Sequence, residues 1–465
     1  MEMKQENKIS CRVILFPQPY IGHLTPMLNL GNALHSKGFS ITIIQTRFNA
    51  LNQTEYPNFE FYYIEDPMSK DAAPWSTGSL KTIALLNKTC SGVFRDCLSR
   101  ILEDASINKE AVACLIADPL WEFVGSIADE FNLPRLGLRT GGLLAVILYD
   151  SLSLLREKGY FQEFEQEAVV AEVPPLKVKD LPSEEYHEPI AIMAKETRSY
   201  CQGIICNTFK ELEGSILDRV RSTLRSIPIF PIGPLHKYAP TNLDSIITPE
   251  QTSITWLNTQ APNSVLYVSF GTLAAISKEQ FLEVAWGIAN SEQPFLWAVR
   301  PRLIDGFGTD DALFSDAFLK IVNERSHIVA WAPQKEVLAH PAVGGFWTHC
   351  GWNSTIESIC EGVPMICLPF FGDQKMNARH LSDVLKIALQ LEKGLNREDI
   401  EKTIRRLMVE KEGDNMRKRA AALKLKAEQC ITEGGSSDES LDRLTSHILS
   451  FCEIEKMPVQ NQLKQ

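Results

Sequence analysis

Several short stretches of this chain carry side chains suited to chemistry on a phosphorylated or hydroxylated ligand. His349-Cys-Gly-Trp-Asn-Ser-Thr-Ile-Glu357 sets Asn353 and Ser354, two good N-caps, at the expected start of a helix. The free N–H groups and positive dipole end there suit a phosphate, with His349 as an added donor. Ser354-x-x-Glu357 is equally the spacing of a capping box with no ligand. Trp331-Ala-Pro-Gln334 puts an indole beside a proline in a loop, where it can stack on a base, although a lone Trp is more often core. Asp373-Gln374 offers an adjacent carboxylate and amide, the mixed acceptors and donors that sugar hydroxyls require, or simply solvated polarity. Upstream, His23 lies in a loop just ahead of a helix, where an imidazole can take a proton near neutral pH. Asp118 ends another strand, where a carboxylate can hold Nδ1–H of an imidazole and fix its tautomer. Taken alone, His23 and Asp118 are each also ordinary helix caps.

The surrounding pattern decides where these residues sit. Arg12–Phe16 reads as a buried strand, residues 17–22 as a breaker-rich loop, Leu24–Lys37 as a helix stopped by Gly38, and Phe39–Ile44 as the next strand. A strand–helix–strand order implies a parallel sheet with crossover helices. The unit recurs with a strand at 113–117, a helix over about 120–131 and a strand at 133–138. A second series runs through strands at 264–270, 294–300, 328–330, 344–348 and 364–368, with helices at 277–289 and 354–361. The charged region after Arg397 reads as surface helices. Ligands of open parallel sheets bind outside the carboxyl ends of the strands, so the loops after Phe16, Ala117, Phe270, Thr348 and Leu368 are those to inspect. The expected organisation is an N-terminal domain over 1–238, a linker over 239–251, a second domain over 252–443, and a C-terminal helix over 444–465 that packs back on the first domain and frays at its end.

Composition bounds the function class. The 465 residues carry a net charge of −11, which argues against nucleic-acid or anionic-membrane partners but not against an anionic ligand in a local pocket. Eleven cysteines, none in a Cys-x-x-Cys pair, suit reduced thiols better than a disulfide framework or a zinc site. No segment has the length of a signal-peptide core or a membrane span, so a cytoplasmic protein is expected and the sequons at Asn52, Asn87 and Asn353 read as chance matches. Gly-x-Gly-x-x-Gly and Gly-x-Ser-x-Gly are absent, against a nicotinamide dehydrogenase or an α/β-hydrolase. An Asp-x-Asp pair is also absent, and Asp310 and Asp311 are adjacent, the wrong spacing; no metal and no cofactor are expected.

Trp331-Ala-Pro-Gln334, His349 to Ser354, Glu357, Pro364 and Asp373-Gln374 together resemble, in type and spacing, the signature box of plant UDP-dependent glycosyltransferases. The similarity extends over essentially the whole chain, from the His23 loop to Gly434-Gly-Ser-Ser437. The resemblance implies an α/β protein of GT-B fold, two Rossmann-like parallel-sheet domains facing across a cleft. It also implies a donor site for UDP-glucose. In it Trp331 and the Ala332 backbone meet uracil, and Gln334 and Glu357 lie at the ribose. Thr272, His349, Asn353 and Ser354 hold phosphates, and Trp352, Asp373 and Gln374 hold the sugar. Gln374 is the variant associated with glucose rather than galactose. His23 and Asp118 match the family's catalytic pair, which implies inverting transfer to a β-glucoside. Thr140 and the stretch 141–149 match the region that lines the acceptor pocket. Gly141-Gly142 replace the small hydroxyl residues usual there, and Tyr20, Tyr149 and Phe371 are candidate aromatic walls. Leu143–Leu148 are equally readable as plain core. The expected acceptor is a small lipophilic phenolic, terpenoid or hormone-like molecule. Transfer to nitrogen or to a carboxylate, and a non-catalytic sugar-nucleotide sensor, are the alternatives. A monomer is expected.

Overall fold

The computed structural model describes residues 11–68, 80–162, 165–238, 250–300, 303–304, 316–322, 325–392 and 394–454. The expected linker lies outside these residues up to position 249, as do Asp310, Asp311 and the chain end from 455.

Two parallel sheets carry the fold. The first comprises β1 (Cys11–Phe16), β2 (Ser40–Thr46), β3 (Phe59–Ile64), β4 (Ala111–Ala117), β5 (Arg135–Arg139), β6 (Ile204–Cys206) and β7 (Ile229–Pro231), in the order β3-β2-β1-β4-β5-β6-β7. The second comprises β8 (Val265–Ser269), β9 (Phe295–Ala298), β10 (Ser326–Val329), β11 (Val343–Thr348), β12 (Met365–Cys367) and β13 (Ala388–Gln390), in the order β10-β9-β8-β11-β12-β13. Each order reverses once, between β1 and β4 and between β8 and β11. Loops at such a reversal diverge and leave a crevice at the strand ends, the standard ligand position of this architecture.

The chain clusters into two compact units. One gathers the described residues of Met1–Tyr149, His187–Ile246 and Cys430–Gln465; the other those of Asp150–Tyr186 and Ile247–Gln429. In the first unit β1 is covered on both faces, so Val13, Ile14, Leu15 and Phe16 are all fully buried, as a central parallel strand requires. One face packs against the helices Ile21–Ser36 and Ser436–Ile454, the other against Leu80–Ile107 and Val124–Glu130. In the second unit the helices Lys278–Asn290 and Arg397–Met408 cover one face of the sheet.

The C-terminal helices correct the expectation of surface elements. Ile400, Ile404 and Leu407 are core, and so are Leu441, Leu444 and Ile448: both helices are amphipathic, and their charges mark only the solvent stripe. The thiols need a correction too. Nine cysteines are free and buried, but Cys11 on β1 and Cys452 on the last helix form a disulfide, which sequence spacing cannot show across 441 positions. Among the described residues no helix is long and apolar enough to cross a membrane.

Candidate active site

The first cluster sits at the reversal between β1 and β4. The helix after β1 begins at Ile21, earlier than the pattern suggested, so His23 lies in its first turn rather than in the loop. Pro26 removes the N–H that the fourth preceding carbonyl would receive, which disguises the start. The turn forms anyway because the Tyr20 carbonyl accepts from both His23 N and Leu24 N at 2.8 Å. Asp118 follows β4. Its Oδ1 accepts from Leu120 N at 3.0 Å, and its Oδ2 lies 2.5 Å from His23 Nδ1. The Asp118 side chain is 3% exposed and the imidazole 26%, so the carboxylate is sealed while the ring reaches solvent. Thr140 Oγ1 stands 3.4 Å from the same Nδ1.

The helix expected from about 120 begins at Val124 instead. The intervening residues form a tight turn held from outside. Asn87, buried on the helix Leu80–Ile107, donates to the Leu120 carbonyl at 2.8 Å and accepts from Glu122 N at 2.8 Å. Trp121 stacks on Phe16 and donates to the Pro17 carbonyl at 3.2 Å, tying the Asp118 loop to the His23 loop. Sequence reasoning missed both supports. In sequence Asn87 stands out only as a sequon; in the structure its amide is buried and committed to this turn.

Of the aromatic wall candidates in this unit, Tyr20 is buried, edge-on to His23 and Phe48, and burial pushes its phenol pKa up. Tyr149 is half-buried, with the Arg139 guanidinium 5.6 Å from its ring centre. Leu143–Leu148 are all buried, as a core segment would be.

The second cluster sits at the reversal between β8 and β11. The helix after β11 begins at Trp352 with Gly351 as its cap, so Asn353 and Ser354 lie in the first turn and are not the N-cap. Cys350, in the left-handed region at φ 63°, turns the chain into the helix earlier than expected. Ser354-x-x-Glu357 is therefore no capping box. Both side chains instead receive Gln334, whose Nε2 donates to Ser354 Oγ at 3.0 Å and to Glu357 Oε2 at 2.8 Å. Gln334 Oε1 accepts from the Tyr267 hydroxyl at 3.3 Å. Tyr267, on β8, is fully buried, and its strand pattern alone gives no sign of this role. Beside Gln334, Ala332 is buried and Trp331 half-buried. The Trp331 carbonyl accepts from Glu250 N at 2.9 Å, and the Glu250 carboxylate accepts from Ala330 N at 2.8 Å.

His349 is gripped by glycines. A Cβ at Gly271, which sits at φ +72° beside Thr272, would fall 2.6 Å from the imidazole, and one at Gly351 would fall 2.4 Å from Nε2. The residue is half-buried with its Nδ1 sealed, and burial with the nearby Arg300 charge holds its pKa down to about 4. It is a neutral donor at physiological pH. Arg300, itself buried, donates from Nε to the Gly271 carbonyl at 2.8 Å and so braces the glycine turn.

Further along, Gln374 is buried and its Oε1 accepts from the backbone of Phe370 at 2.8 Å and Phe371 at 3.2 Å. With the carbonyl spent there, the amide N–H is what Gln374 offers a ligand. Asn377 donates to Asp373 Oδ2 at 3.1 Å and to the Cys350 carbonyl at 3.0 Å, joining this turn to the His349 loop. Trp352 is buried, and Phe371 is half-buried. Among the described residues no group of three or more His, Cys, Asp or Glu side chains is gathered to hold a metal ion.

Comparison with known proteins shows the family of the chain. Residues 9–237 match the family "Glycosyltransferase, N-terminal domain", and 248–421 match "UDP-glucoronosyl and UDP-glucosyl transferase". The chain belongs to the plant UDP-glycosyltransferases. It is 43% identical to UDP-glycosyltransferase 76B1 of Arabidopsis thaliana over 94% of this chain and 98% of that one. It is 44% identical to UDP-glycosyltransferase 76G1 of Stevia rebaudiana over 97% of this chain and all of that one. The solved structure of Phytolacca americana UGT2, complexed with UDP-2fluoro-glucose and pterostilbene, superposes with a TM-score of 0.79 at 26% identity, covering 96% of this chain and 100% of that one. The two parallel sheets are those of the GT-B fold. This UDP-glycosyltransferase is thus an enzyme of the 76 group, in the inverting family that uses UDP-sugars.

Proposed function

We propose that this enzyme transfers glucose from UDP-glucose to a hydroxyl of a small lipophilic acceptor, a phenolic, terpenoid or hormone-like molecule, giving a β-glucoside in plant specialised metabolism. The observation that carries the reading is the 2.5 Å contact between His23 Nδ1 and Asp118 Oδ2 at the strand ends of the first sheet. A buried carboxylate on Nδ1–H holds the neutral tautomer whose lone pair is on Nε2, and stabilises the imidazolium once a proton arrives. His23 takes the acceptor proton as the acceptor oxygen attacks the anomeric carbon. The C–O bond to the diphosphate breaks on the opposite face, UDP departs with the electron pair, and the α-linked donor yields the β product.

On the donor, Trp331 stacks on uracil and the Ala332 backbone reads its edge. Glu357, aimed by Gln334, binds the ribose. Thr272, neutral His349, Asn353, Ser354 and the first N–H groups of the helix at Trp352 meet the diphosphate, where negative charge grows as the bond breaks. Trp352, Asp373 and the Gln374 amide take the sugar hydroxyls, and Gln374 supports glucose. Thr140, with Tyr20, Tyr149 and Phe371, belongs to the acceptor side. The relative crystallised with UDP-2fluoro-glucose and pterostilbene supports a glucose donor and a flat, apolar acceptor. We further infer a cytoplasmic monomer that needs neither metal nor cofactor.

The test is incubation of the purified protein with UDP-glucose and a panel of such acceptors in EDTA, with hexose addition read by mass spectrometry and the anomer by NMR. A β-glucoside formed in EDTA and lost in His23→Ala is the expected result. Product that survives loss of His23 would instead mean an acidic or nitrogen acceptor. Binding of UDP-glucose without any product would mean a sensor.

A further inference from the structure

Residues 150–186 lie in sequence between β5 and β6 of the first sheet, yet they cluster with the second unit. One carboxylate shows what they do there. Asp180 closes a short helical turn, Val178–Asp180, and is buried. Its Oδ2 accepts from Lys177 N at 2.9 Å and from Arg379 Nε at 2.8 Å, while its Oδ1 accepts from Arg379 Nη2 at 3.2 Å. Arg379 is the last residue of the helix Gln374–Arg379, and its side chain is 2% exposed. Its remaining Nη1 donates to Glu392 at 2.8 Å and approaches Asp383 at 3.4 Å. A second tether runs alongside, from Lys375 Nζ to the Lys179 carbonyl at 3.1 Å. Lys179 in turn pairs with Glu392 at 2.9 Å.

A two-pronged guanidinium–carboxylate pair fixes orientation as well as distance. That matters because this helix, which runs on only into a π-helical turn at His380–Val384, is too short to hold its own geometry and takes it from its anchors. Its anchors include Asn377 with Asp373 and the Cys350 carbonyl near its start, and the Asp180–Arg379 fork where the α-helical part ends. We propose that Asp180 and Arg379 are positioning residues for the sugar end of the donor site. By this fork, a segment that interrupts the first half of the sequence holds Asp373 and Gln374 in register for the hexose. The proposal rests on the assignment of Asp373 and Gln374 to the donor sugar given above. The uracil and ribose contacts sit on other elements, on the 331–334 turn and the helix Trp352–Glu361, which the fork does not touch. Loss of the fork should therefore separate affinity for UDP-glucose from affinity for UDP.

The experiment is calorimetric titration of the full chain with UDP and with UDP-glucose separately. Asp180→Asn and Arg379→Lys should weaken UDP-glucose by about 10-fold while UDP changes by less than about 2-fold, since a small misplacement of a positioning group has effects of that size or larger. Both should also narrow the preference for UDP-glucose over UDP-galactose. Lys375→Ala removes only the half-buried tether and keeps the buried pair, so it should remain folded and show the same split at roughly 2-fold to 5-fold. If the buried-pair variants do not fold, Lys375→Ala decides alone. Equal loss of both ligands, or an unchanged ratio in Lys375→Ala, overturns the proposal. A wild-type protein that binds UDP but gains nothing from the glucose overturns the donor-sugar assignment with it. A wild type that distinguishes the two ligands, with variants that do so equally well, overturns this proposal alone.

Discussion

The two clusters at the sheet reversals are built in opposite ways. At β1 and β4 the proposed chemistry rests on two side chains, 95 positions apart, that meet in one short contact. Their support comes from elements that do no chemistry themselves: Asn87 on a facing helix, Trp121 under Phe16, Thr140 at the ring. At β8 and β11 many of the polar groups belong to two hydrogen-bonded runs, one from Tyr267 through Gln334 to Ser354 and Glu357, the other from Asp373 through Asn377 to Cys350. A general base must keep one edge open and free to change protonation, so it can be braced only from behind. A site that binds one fixed ligand loses nothing by being saturated and gains pre-organisation.

That contrast can be broken most severely at the base. His23→Ala should lower the turnover of a hydroxyl acceptor by about 10²–10⁴-fold while leaving UDP affinity intact, read by steady-state kinetics beside calorimetry. Asp118→Asn should cost about 10–100-fold in turnover, again without a binding defect, because the amide no longer stabilises the imidazolium or fixes its tautomer. At the saturated cluster the pattern inverts. Gln334→Ala strips partners from Tyr267, Ser354 and Glu357 at once and should weaken UDP by about 10–100-fold, raising the donor KM more than it lowers turnover. If Gln334→Ala reduced turnover and spared UDP binding, the distinction between the clusters would collapse.

Smaller effects sharpen it. Asn87→Ala leaves the Leu120 carbonyl and Glu122 N–H unpaired next to the Asp118 turn. It should destabilise the protein by about 1–3 kcal/mol in urea melts, and lower turnover without changing UDP affinity. The second unit should also be the more sensitive to acid. His380 is buried with neither ring nitrogen hydrogen-bonded among the described residues, and burial holds its pKa down to about 4, as burial and Arg300 do for His349. In the unfolded chain both titrate near 6.5, so below that pH the unfolded state binds more protons. Their contribution to stability is complete above pH 6.5 and is lost as pH falls toward 4. His380→Leu should flatten this slope by roughly 1 kcal/mol per pH unit between pH 6.5 and 4; an unchanged slope would mean that His380 does not report the acid response.

The sequence by itself determined the alternating architecture, the strands that end at each cluster, and which residues are candidates for the donor site. All of these candidates but Thr272 fall in one stretch, 331–374, so their spacing survives as a pattern in one dimension, and periodicity over buried strands such as β1 and β11 is a local signal. It did not determine where the helices at His23 and Ser354 begin. Those starts turn on a tolerated Pro26 and a left-handed Cys350, neither of which periodicity of apolar residues reports. Nor did it determine the partners. Asn87, Tyr267, Arg300 and Asn377 are unremarkable in sequence, and their roles exist only because folding brings them to a loop or a ring tens of positions away. The segment 150–186 and its Asp180 are the clearest case: chain order puts them with the first sheet, and a buried ion pair 199 positions long puts them with the second. Burying a charged pair requires the whole surrounding shell to be in place, and that is a property of the tertiary structure alone.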